Sequence, residues 1–396
     1  MAAFIEQIQG WYSTDYRGFR TYFDAAVENV KPRPEETDDD VWKDWSGAGI
    51  DELCAFFEEW YAWLPDVPTG LDYIQKFSWL YYLNEYGLAF VTKGAGYEMT
   101  KNFVAIRGTY FDSPESAALV NDWVEQLGGI AKVSQQYVIP EPTNPTGNYG
   151  FNSFNEFFIR EVQPGVRPIT SPDDDSIVVA SADCVINMIV DDLTLETQIP
   201  VKTVYLNVRQ LLDNSEFASN FEGGTAVSCI LMPDSYHRYH APVSGQVVDS
   251  NENVAGEYFG IQDFPGLLND DNVGYGYNYS VFEDFRRGYM VIQTERFGCV
   301  AVVPVGLNTI ASVVFKDEFK RVTSASPVPI IKGDEIGYFQ YGGSLNILLF
   351  EADRFPSLNI FQGQQIGLLL NPDEAAVKLT KSRRNRFLNR VAYLAK

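Results

Sequence analysis

The chain is poor in basic side chains and contains only two histidines among its 396 residues. Its 30 lysines and arginines are outnumbered by 53 aspartates and glutamates, which gives a formal net charge of −23. Because attraction to nucleic-acid phosphates requires a basic surface, this imbalance argues against general nucleic-acid binding. An anionic membrane surface would be repelled by the same charge.

Cysteines and long hydrophobic runs are also scarce. The four cysteines (Cys54, Cys184, Cys229 and Cys299) are widely spaced and form no Cys-x-x-Cys pair, which fits a reducing compartment and excludes a disulfide framework. No apolar run approaches the ~18 residues of a transmembrane helix. The first six residues lack the basic and apolar segments of a signal peptide. We therefore expect a cytoplasmic protein without stable membrane insertion.

What the sequence does contain is 45% hydrophobic residues, enough for a large core, in two regions of different character. Residues 1–147 predict helices; the apolar residues of 51–64 recur at helical spacing. Ser113 followed by Pro114 is typical of a helix start. The proline-rich segment 140–147 predicts a linker.

After this linker, short apolar runs separated by turn residues predict β-strands. A short helix is predicted over 153–160. The predicted strands are 177–180, 185–190, 226–232, 246–249, 289–294, 299–305 and 310–315. The predicted fold class is therefore α+β, with a helical N-terminal extension (1–147) and a mainly antiparallel β-sheet catalytic domain (148–396).

The C-terminal segment differs in charge from the rest of the chain. Residues 375–396 carry seven basic side chains and no acidic one, interleaved with apolar residues. Such a segment can lie on an anionic membrane, which would make the protein peripheral to a membrane. We favour the alternative, a helix docked on the acidic body of the protein itself.

Both histidines, His237 and His240, lie in one loop between two prolines. Histidine is suited to proton transfer near neutral pH, so an enzyme that uses histidine must have its site here. A purely structural role within a packed loop is the alternative. The loop offers no third and fourth metal ligand, so we expect no metal.

Ser344 follows two glycines, Gly342 and Gly343, between apolar strand-like runs. Glycine permits backbone geometries that a side chain would forbid, and it leaves the preceding carbonyl open to attack. Asn346 stands where the nucleophile elbow of hydrolases requires glycine.

Four segments resemble, in order, the motifs of the phosphatidylserine decarboxylase family. Residues 236–245 are similar to its Tyr-His-Arg-x-His-x-Pro-x-x-Gly signature, and 154–160 with Arg167-Pro168 to its Phe-Phe-x-Arg…Arg-Pro entry. Residues 181–183 resemble its Ala-Asp-Gly segment, and 342–344 its self-cleavage motif. The resemblance covers roughly residues 148–355. The N-terminal region is similar to the extension of the soluble aromatic amino-acid (tryptophan) decarboxylases, with a weaker motif at 107–113.

The resemblance implies a triad in which Asp183 holds the tautomer of His240, and His240 deprotonates Ser344. Ser344 would attack the carbonyl of Gly343, leaving two associated chains, residues 1–343 and 344–396. Ser344 would thereby become a covalent pyruvoyl cofactor, which forms a Schiff base with a substrate amine and accepts electrons as CO2 leaves. His237 would orient the substrate carboxylate or reprotonate the carbanion.

The N-terminal resemblance favours a free, aromatic L-amino acid as substrate. Phosphatidylserine, which would give phosphatidylethanolamine, is the alternative substrate. A Ser-His-Asp hydrolase with intact Ser344 and a non-catalytic binding module are alternatives of other classes. Analogy with the family also suggests a homodimer.

The chain departs from the family at three positions. Leu345 stands where the family usually has threonine, and Gly342 stands where leucine is common. Cys184 replaces a glycine. Because a helper hydroxyl is missing at Leu345, we expect the first two departures to affect the rate of self-cleavage.

Overall fold

The structure is a computed structural model that describes residues 1–34, 37, 39–63, 65, 72–190, 193–195, 208–231, 234–254, 256, 259, 285–307 and 313–354. The basic segment 375–396 lies outside these residues. So do Met232 of the predicted strand 226–232 and residues 310–312 of the predicted strand 310–315.

The helices lie almost entirely before residue 160. They are α1 (Ala2–Thr14), α2 (Phe19–Glu28), α3 (Ile50–Ala62), α4 (Asp72–Ser78), α5 (Glu85–Thr92), α6 (Gly94–Phe111), α7 (Leu119–Gln126), α8 (Ile130–Gln136), α9 (Phe154–Phe158) and α10 (Val208–Leu211). The predicted helices 51–64 and 153–160 correspond to α3 and α9. Within the described parts of the chain, no helix combines the length and apolar character needed to span a bilayer.

The predicted helix start at Ser113 is a 3-10 turn, Pro114–Ala118, which leads into α7. The Ser113 hydroxyl does not cap this turn; it donates to the Tyr110 carbonyl at 2.7 Å. After α7 the chain turns at Gly128 and Gly129, whose φ angles of +101° and +86° favour glycine.

Two antiparallel sheets follow. The strands are β1 (Val185–Val190), β2 (Thr225–Leu231), β3 (Arg238–His240), β4 (Gly245–Val254), β5 (Arg287–Gln293), β6 (Cys299–Leu307), β7 (Val313–Phe315), β8 (Val328–Ile330), β9 (Glu335–Phe339) and β10 (Gly343–Phe350). The larger sheet has the order β1-β2-β10-β6-β5-β4-β8, and the smaller has the order β3-β9-β7. The α+β fold class is confirmed.

The predicted strand 177–180 is not a strand in the structure. Residues 234–242, which contain both histidines, are called the histidine loop below. The backbone of 177–180 is joined to this loop by a hydrogen bond from the Val179 N–H to the Pro242 carbonyl at 3.0 Å. A short apolar run cannot become a strand unless a partner strand continues the ladder beside it.

The helices cover one face of the larger sheet. Trp60 of α3 and Phe103 of α6 belong to the same buried cluster as Leu345 and Ile347 of β10. The opposite face, with Leu348, packs against residues of the smaller sheet. The division into domains at residue 147 stays a prediction. The helical region and the sheet share a core, and this brings the helices close to the start of β10.

Candidate active site

Ser344 lies at the start of the strand that holds the larger sheet together. β10 is flanked by β2 and β6, and Ser344 pairs with Leu231 on one side and Gly306 on the other. Gly342, two residues before Ser344, has φ +153°, a backbone conformation that glycine adopts most easily. The Ser344 hydroxyl is buried and has no hydrogen-bond partner among the described residues.

His240 has a defined proton position. Its Nδ1 lies 2.9 Å from the Gly333 carbonyl, and because a carbonyl only accepts, Nδ1 must carry the hydrogen. Nε2 therefore has the lone pair, to which the Tyr236 hydroxyl donates at 3.0 Å. Burial lowers the pKa of His240 below its usual value, so its Nε2 is a neutral base at pH 7.

His237 is fully buried and has the same tautomer. Its Nδ1 donates to the Ser235 carbonyl at 3.0 Å, and its Nε2 has no hydrogen-bond partner in the described structure. Its ring packs on Phe158 of α9, with centroids 4.0 Å apart. Burial lowers the pKa of His237 to about 3.

Asp183 forms no hydrogen bond with His240 in the described structure. Its carboxylate forms a two-pronged ion pair with Arg167, with Nε–Oδ1 at 3.0 Å and Nη2–Oδ2 at 2.8 Å. The two are nevertheless neighbours along the backbone, because the His240 N–H donates to the Ser181 carbonyl at 2.7 Å. The expected Asp183–His240 hydrogen bond is thus absent from the described structure, and the Gly333 carbonyl takes its place. The triad stays a prediction.

The segment before Ser344 is held by residues that the sequence reading did not single out. The Tyr341 N–H donates to Oδ1 of Asn155 at 3.0 Å, and Nδ2 of Asn155 donates to Oδ1 of Asp112 at 2.9 Å. Gln340 Nε2 also donates to Asp112, at 3.2 Å. The sequence motifs could have indicated both residues, because Asp112 lies in the weak motif 107–113 and Asn155 lies in the motif 154–160.

A pocket adjoins this segment. Tyr341 lines it together with Trp60, Trp63, Phe103, Phe111 and the buried Arg107, and its cavity volume is about 20 Å³. Nη1 of Arg107 donates to the carbonyls of Trp60, Tyr61 and Trp63 at 2.9–3.2 Å. Burial lowers the pKa of Arg107 to about 10, so the guanidinium remains charged at pH 7.

Comparison with known proteins identifies the family. The sequence profile described as "Phosphatidylserine decarboxylase" matches residues 154–368, more than half of the chain. The chain belongs to the phosphatidylserine decarboxylase family. This confirms the resemblance to the family, the enzyme class of pyruvoyl-dependent decarboxylases and the serine-derived pyruvoyl cofactor. It does not confirm the resemblance of the N-terminal region to the aromatic amino-acid decarboxylases.

Several curated relatives are similar to this chain. "Phosphatidylserine decarboxylase proenzyme 2" of Oryza sativa subsp. japonica is 31% identical over 275 residues, which is 69% of this chain and 39% of the rice protein. "Phosphatidylserine decarboxylase proenzyme" of Clostridium botulinum is 27% identical over 254 residues, 64% of this chain and 76% of that protein. "Phosphatidylserine decarboxylase proenzyme 3" of Schizosaccharomyces pombe is 33% identical over 247 residues, 62% of this chain and 23% of that protein.

The match thus spans less than half of the two eukaryotic relatives and about three quarters of the bacterial one. The word proenzyme in all three names agrees with a precursor that cleaves itself into two chains. None of the three names mentions an aromatic amino acid.

Proposed function

We propose that this chain is a decarboxylase that cleaves itself between Gly343 and Ser344 and then acts on the serine head group of phosphatidylserine. The observation that carries the proposal is the buried hydroxyl of Ser344, which has no partner among the described residues and lies directly after two glycines at the start of an interior strand. A hydroxyl in this position is placed to attack its own preceding peptide bond.

The self-cleavage balances with one water consumed and one ammonia released. The Ser344 oxygen bonds to the Gly343 carbonyl carbon while the peptide C–N bond breaks, which leaves an ester. Loss of the Ser344 α-proton then breaks the bond between its side-chain oxygen and β-carbon and frees the Gly343 carboxylate. Hydrolysis of the remaining enamine releases ammonia and leaves the pyruvoyl group.

His240 is the proposed base for the first step. Its Nε2 carries the lone pair because the Gly333 carbonyl holds the hydrogen on Nδ1. The Tyr236 hydroxyl occupies this lone pair in the intact chain, so Ser344 must displace it as its own proton is transferred. The lowered pKa of His240 keeps the base neutral at pH 7.

The residues around Ser344 fit a pyruvoyl group, because the site is buried, uncharged and already contains the serine that would form it. The pyruvoyl carbonyl supplies the electron sink for decarboxylation. His237 has a neutral Nε2 without a partner in the described structure, and with a pKa of about 3 this atom carries no proton at pH 7. It is suited to accept a hydrogen bond or a proton from the substrate. This role for His237 is part of the proposal.

Phosphatidylserine is the first candidate substrate because the relatives' names specify it. The free aromatic amino acid favoured by the N-terminal resemblance receives no support from those names. One observation keeps it as the second candidate: the pocket beside Tyr341 has aromatic walls and one buried guanidinium, chemistry that suits an aromatic ring joined to a carboxylate.

Mass spectrometry under denaturing conditions tests the cleavage. We expect fragments 1–343 and 344–396, with a blocked N-terminus at position 344, whereas Ser344→Ala and His240→Ala should stay at the precursor mass near 44.6 kDa. An uncut chain in catalytically active protein would refute the pyruvoyl mechanism and favour the hydrolase alternative. Unchanged biological activity of Ser344→Ala would favour a binding module.

Substrate assays on the cleaved enzyme decide between the two candidates. Phosphatidylserine vesicles and L-tryptophan are compared by CO2 release at equal enzyme concentration. Turnover of the vesicles supports the proposal, while turnover of tryptophan alone overturns the choice of phosphatidylserine and leaves the cleavage mechanism intact.

A further inference from the structure

Asn155 stands between the N-terminal helices and the cleavage segment. It is 2% exposed, and its side-chain amide both accepts and donates a hydrogen bond. Its oxygen accepts from the Tyr341 N–H at 3.0 Å, and its nitrogen donates to the Asp112 carboxylate at 2.9 Å. Since a carboxylate can only accept, Asp112 determines which end of the amide faces Tyr341.

The scissile bond is thereby anchored on both sides. Downstream, Ser344 is fixed by its pairing with β2 and β6. Upstream, Tyr341 is fixed through its N–H and through its ring, which packs against Phe111 and Phe154 at centroid distances of 4.8 and 5.3 Å. Between the anchors lie two glycines, the residues with the most backbone freedom to lose. The upstream anchor therefore decides how often the Gly343 carbonyl lies within reach of Ser344.

Helix α9 connects this anchor to the histidine loop. Phe158, one turn after Asn155, packs on the Tyr341 ring at 5.2 Å and on the His237 ring at 4.0 Å. The helix therefore holds the cleavage segment in a fixed position relative to the loop that also carries His240.

We propose that Asn155 is a positioning residue for self-cleavage, and that Asp112 makes the N-terminal helical region part of the cleavage machinery. The inference rests on the proposed self-cleavage. Asp112 lies outside residues 154–368 that match the family profile, so this contribution comes from a part of the chain beyond the matched region. Asp112 is exposed, and its own contribution is smaller than that of the buried Asn155.

The test is the rate of self-cleavage of the full-length chain after cell-free synthesis, followed on denaturing gels. Asn155→Ala should slow cleavage about tenfold or more, because misplacement of reacting groups by about 1 Å can cost about 100-fold. Asn155→Asp should also be slower, since two carboxylates then face each other. The reciprocal pair Asp112→Asn with Asn155→Asp restores a donor–acceptor contact and should return the rate to within about twofold of the unsubstituted chain.

The rescue would show that the contact between residues 112 and 155 is needed, and a matched control separates positioning from general destabilisation. Ser116 accepts the Phe154 N–H at 2.9 Å in the same interface, and its hydroxyl lies within hydrogen-bond distance of the Phe111 and Ser113 carbonyls. Ser116→Ala should lower thermal stability, measured in the uncleavable Ser344→Ala background, without slowing cleavage.

The outcomes distinguish this inference from the proposed function. If the unsubstituted chain cleaves and Asn155→Ala cleaves equally fast, or if the reciprocal pair is no faster than Asn155→Asp alone, the positioning role is refuted and the proposed function stands. If the unsubstituted chain never cleaves, the proposed function fails, and the inference fails with it.

Discussion

His240 owes its tautomer to a backbone carbonyl, that of Gly333, rather than to the carboxylate of Asp183. The motif order placed Asp183 and His240 in one site, and the structure brings their backbones together through Ser181. The motif order could not reveal the Gly333 contact, because every residue has a carbonyl and only the tertiary fold decides which carbonyl faces a given ring. The roles of these residues stay a prediction, and only the fold shows their hydrogen-bond partners.

The role of Asp183 can be separated from that of its ion pair. We predict that Asp183→Asn slows self-cleavage at least tenfold, because the negative charge of Asp183 lies two residues from the Ser181 carbonyl that binds the His240 N–H and would stabilise a histidinium formed at His240. Arg167→Gln should affect the rate less than about threefold, since half-exposed ion pairs contribute about 0–1 kcal/mol. Gel-based cleavage rates provide the measurement. Equal effects of the two substitutions would mean that Asp183 serves only the ion pair.

His237 should make the fold sensitive to acid. Its pKa is about 3 in the folded chain, whereas an unfolded histidine has a pKa near 6.5. Between these values the unfolded state binds a proton that the folded state does not, so stability is lost as pH falls below about 6.5. Between pH 6.5 and 5 this amounts to about 2 kcal/mol.

Denaturant unfolding at these two pH values, in the Ser344→Ala background, measures the loss. His237→Asn keeps a donor for the Ser235 carbonyl but cannot titrate. This variant should lose about 2 kcal/mol less than the chain with His237 over the same interval. Parallel pH dependence of the two proteins would contradict the prediction.

The register of strand β10 changes the interpretation of Leu345. Successive side chains of a strand point to opposite faces of the sheet. Leu345 lies in the core between helices and sheet, whereas Ser344 and Asn346 share the other face. The missing helper hydroxyl at position 345 would therefore not point toward Ser344 in this strand. The sequence could identify the departure, but only the strand register shows which face it occupies.

Leu345→Thr should destabilise the chain without helping cleavage. Burying a hydroxyl and removing apolar volume costs about 2–4 kcal/mol. We expect this loss in denaturant unfolding of the Ser344→Ala background and a cleavage rate within about twofold of the unsubstituted chain. Ile347→Thr, on the same face, is the control for stability alone. A faster cleavage specific to Leu345→Thr would show that the hydroxyl reaches Ser344.

At the scale of the molecule, the helical region and the sheet behave as one core. Apolar spacing predicted the helices and most strands, because buried apolar residues recur along the sequence with the period of the element that buries them. The contact between the two regions was not predictable from spacing, because an amphipathic face does not specify which element covers it. The linker residues 140–147 separate the regions along the chain but not in space.

A chain that begins at residue 148 should therefore not fold alone. Removal of residues 1–147 exposes Leu345, Ile347 and Val303, which the helices now cover. We expect aggregation or no cooperative melting, and partial recovery when residues 1–147 are co-expressed. Size-exclusion chromatography and thermal melting of the truncated chain are the measurements. A soluble, self-cleaving fragment 148–396 would contradict this prediction.

The position of the cleavage site between the first two residues of an interior strand has a thermodynamic consequence. After the cut, residues 344–396 still contribute β10, which pairs with β2 and β6 of the other chain. Unfolding then becomes a dissociation, so the melting temperature of the processed protein should rise with its concentration, whereas that of Ser344→Ala should not. Refolding after denaturation becomes a bimolecular reaction as well. Self-cleavage would thus make the native assembly easy to form once, from the precursor, and difficult to form again.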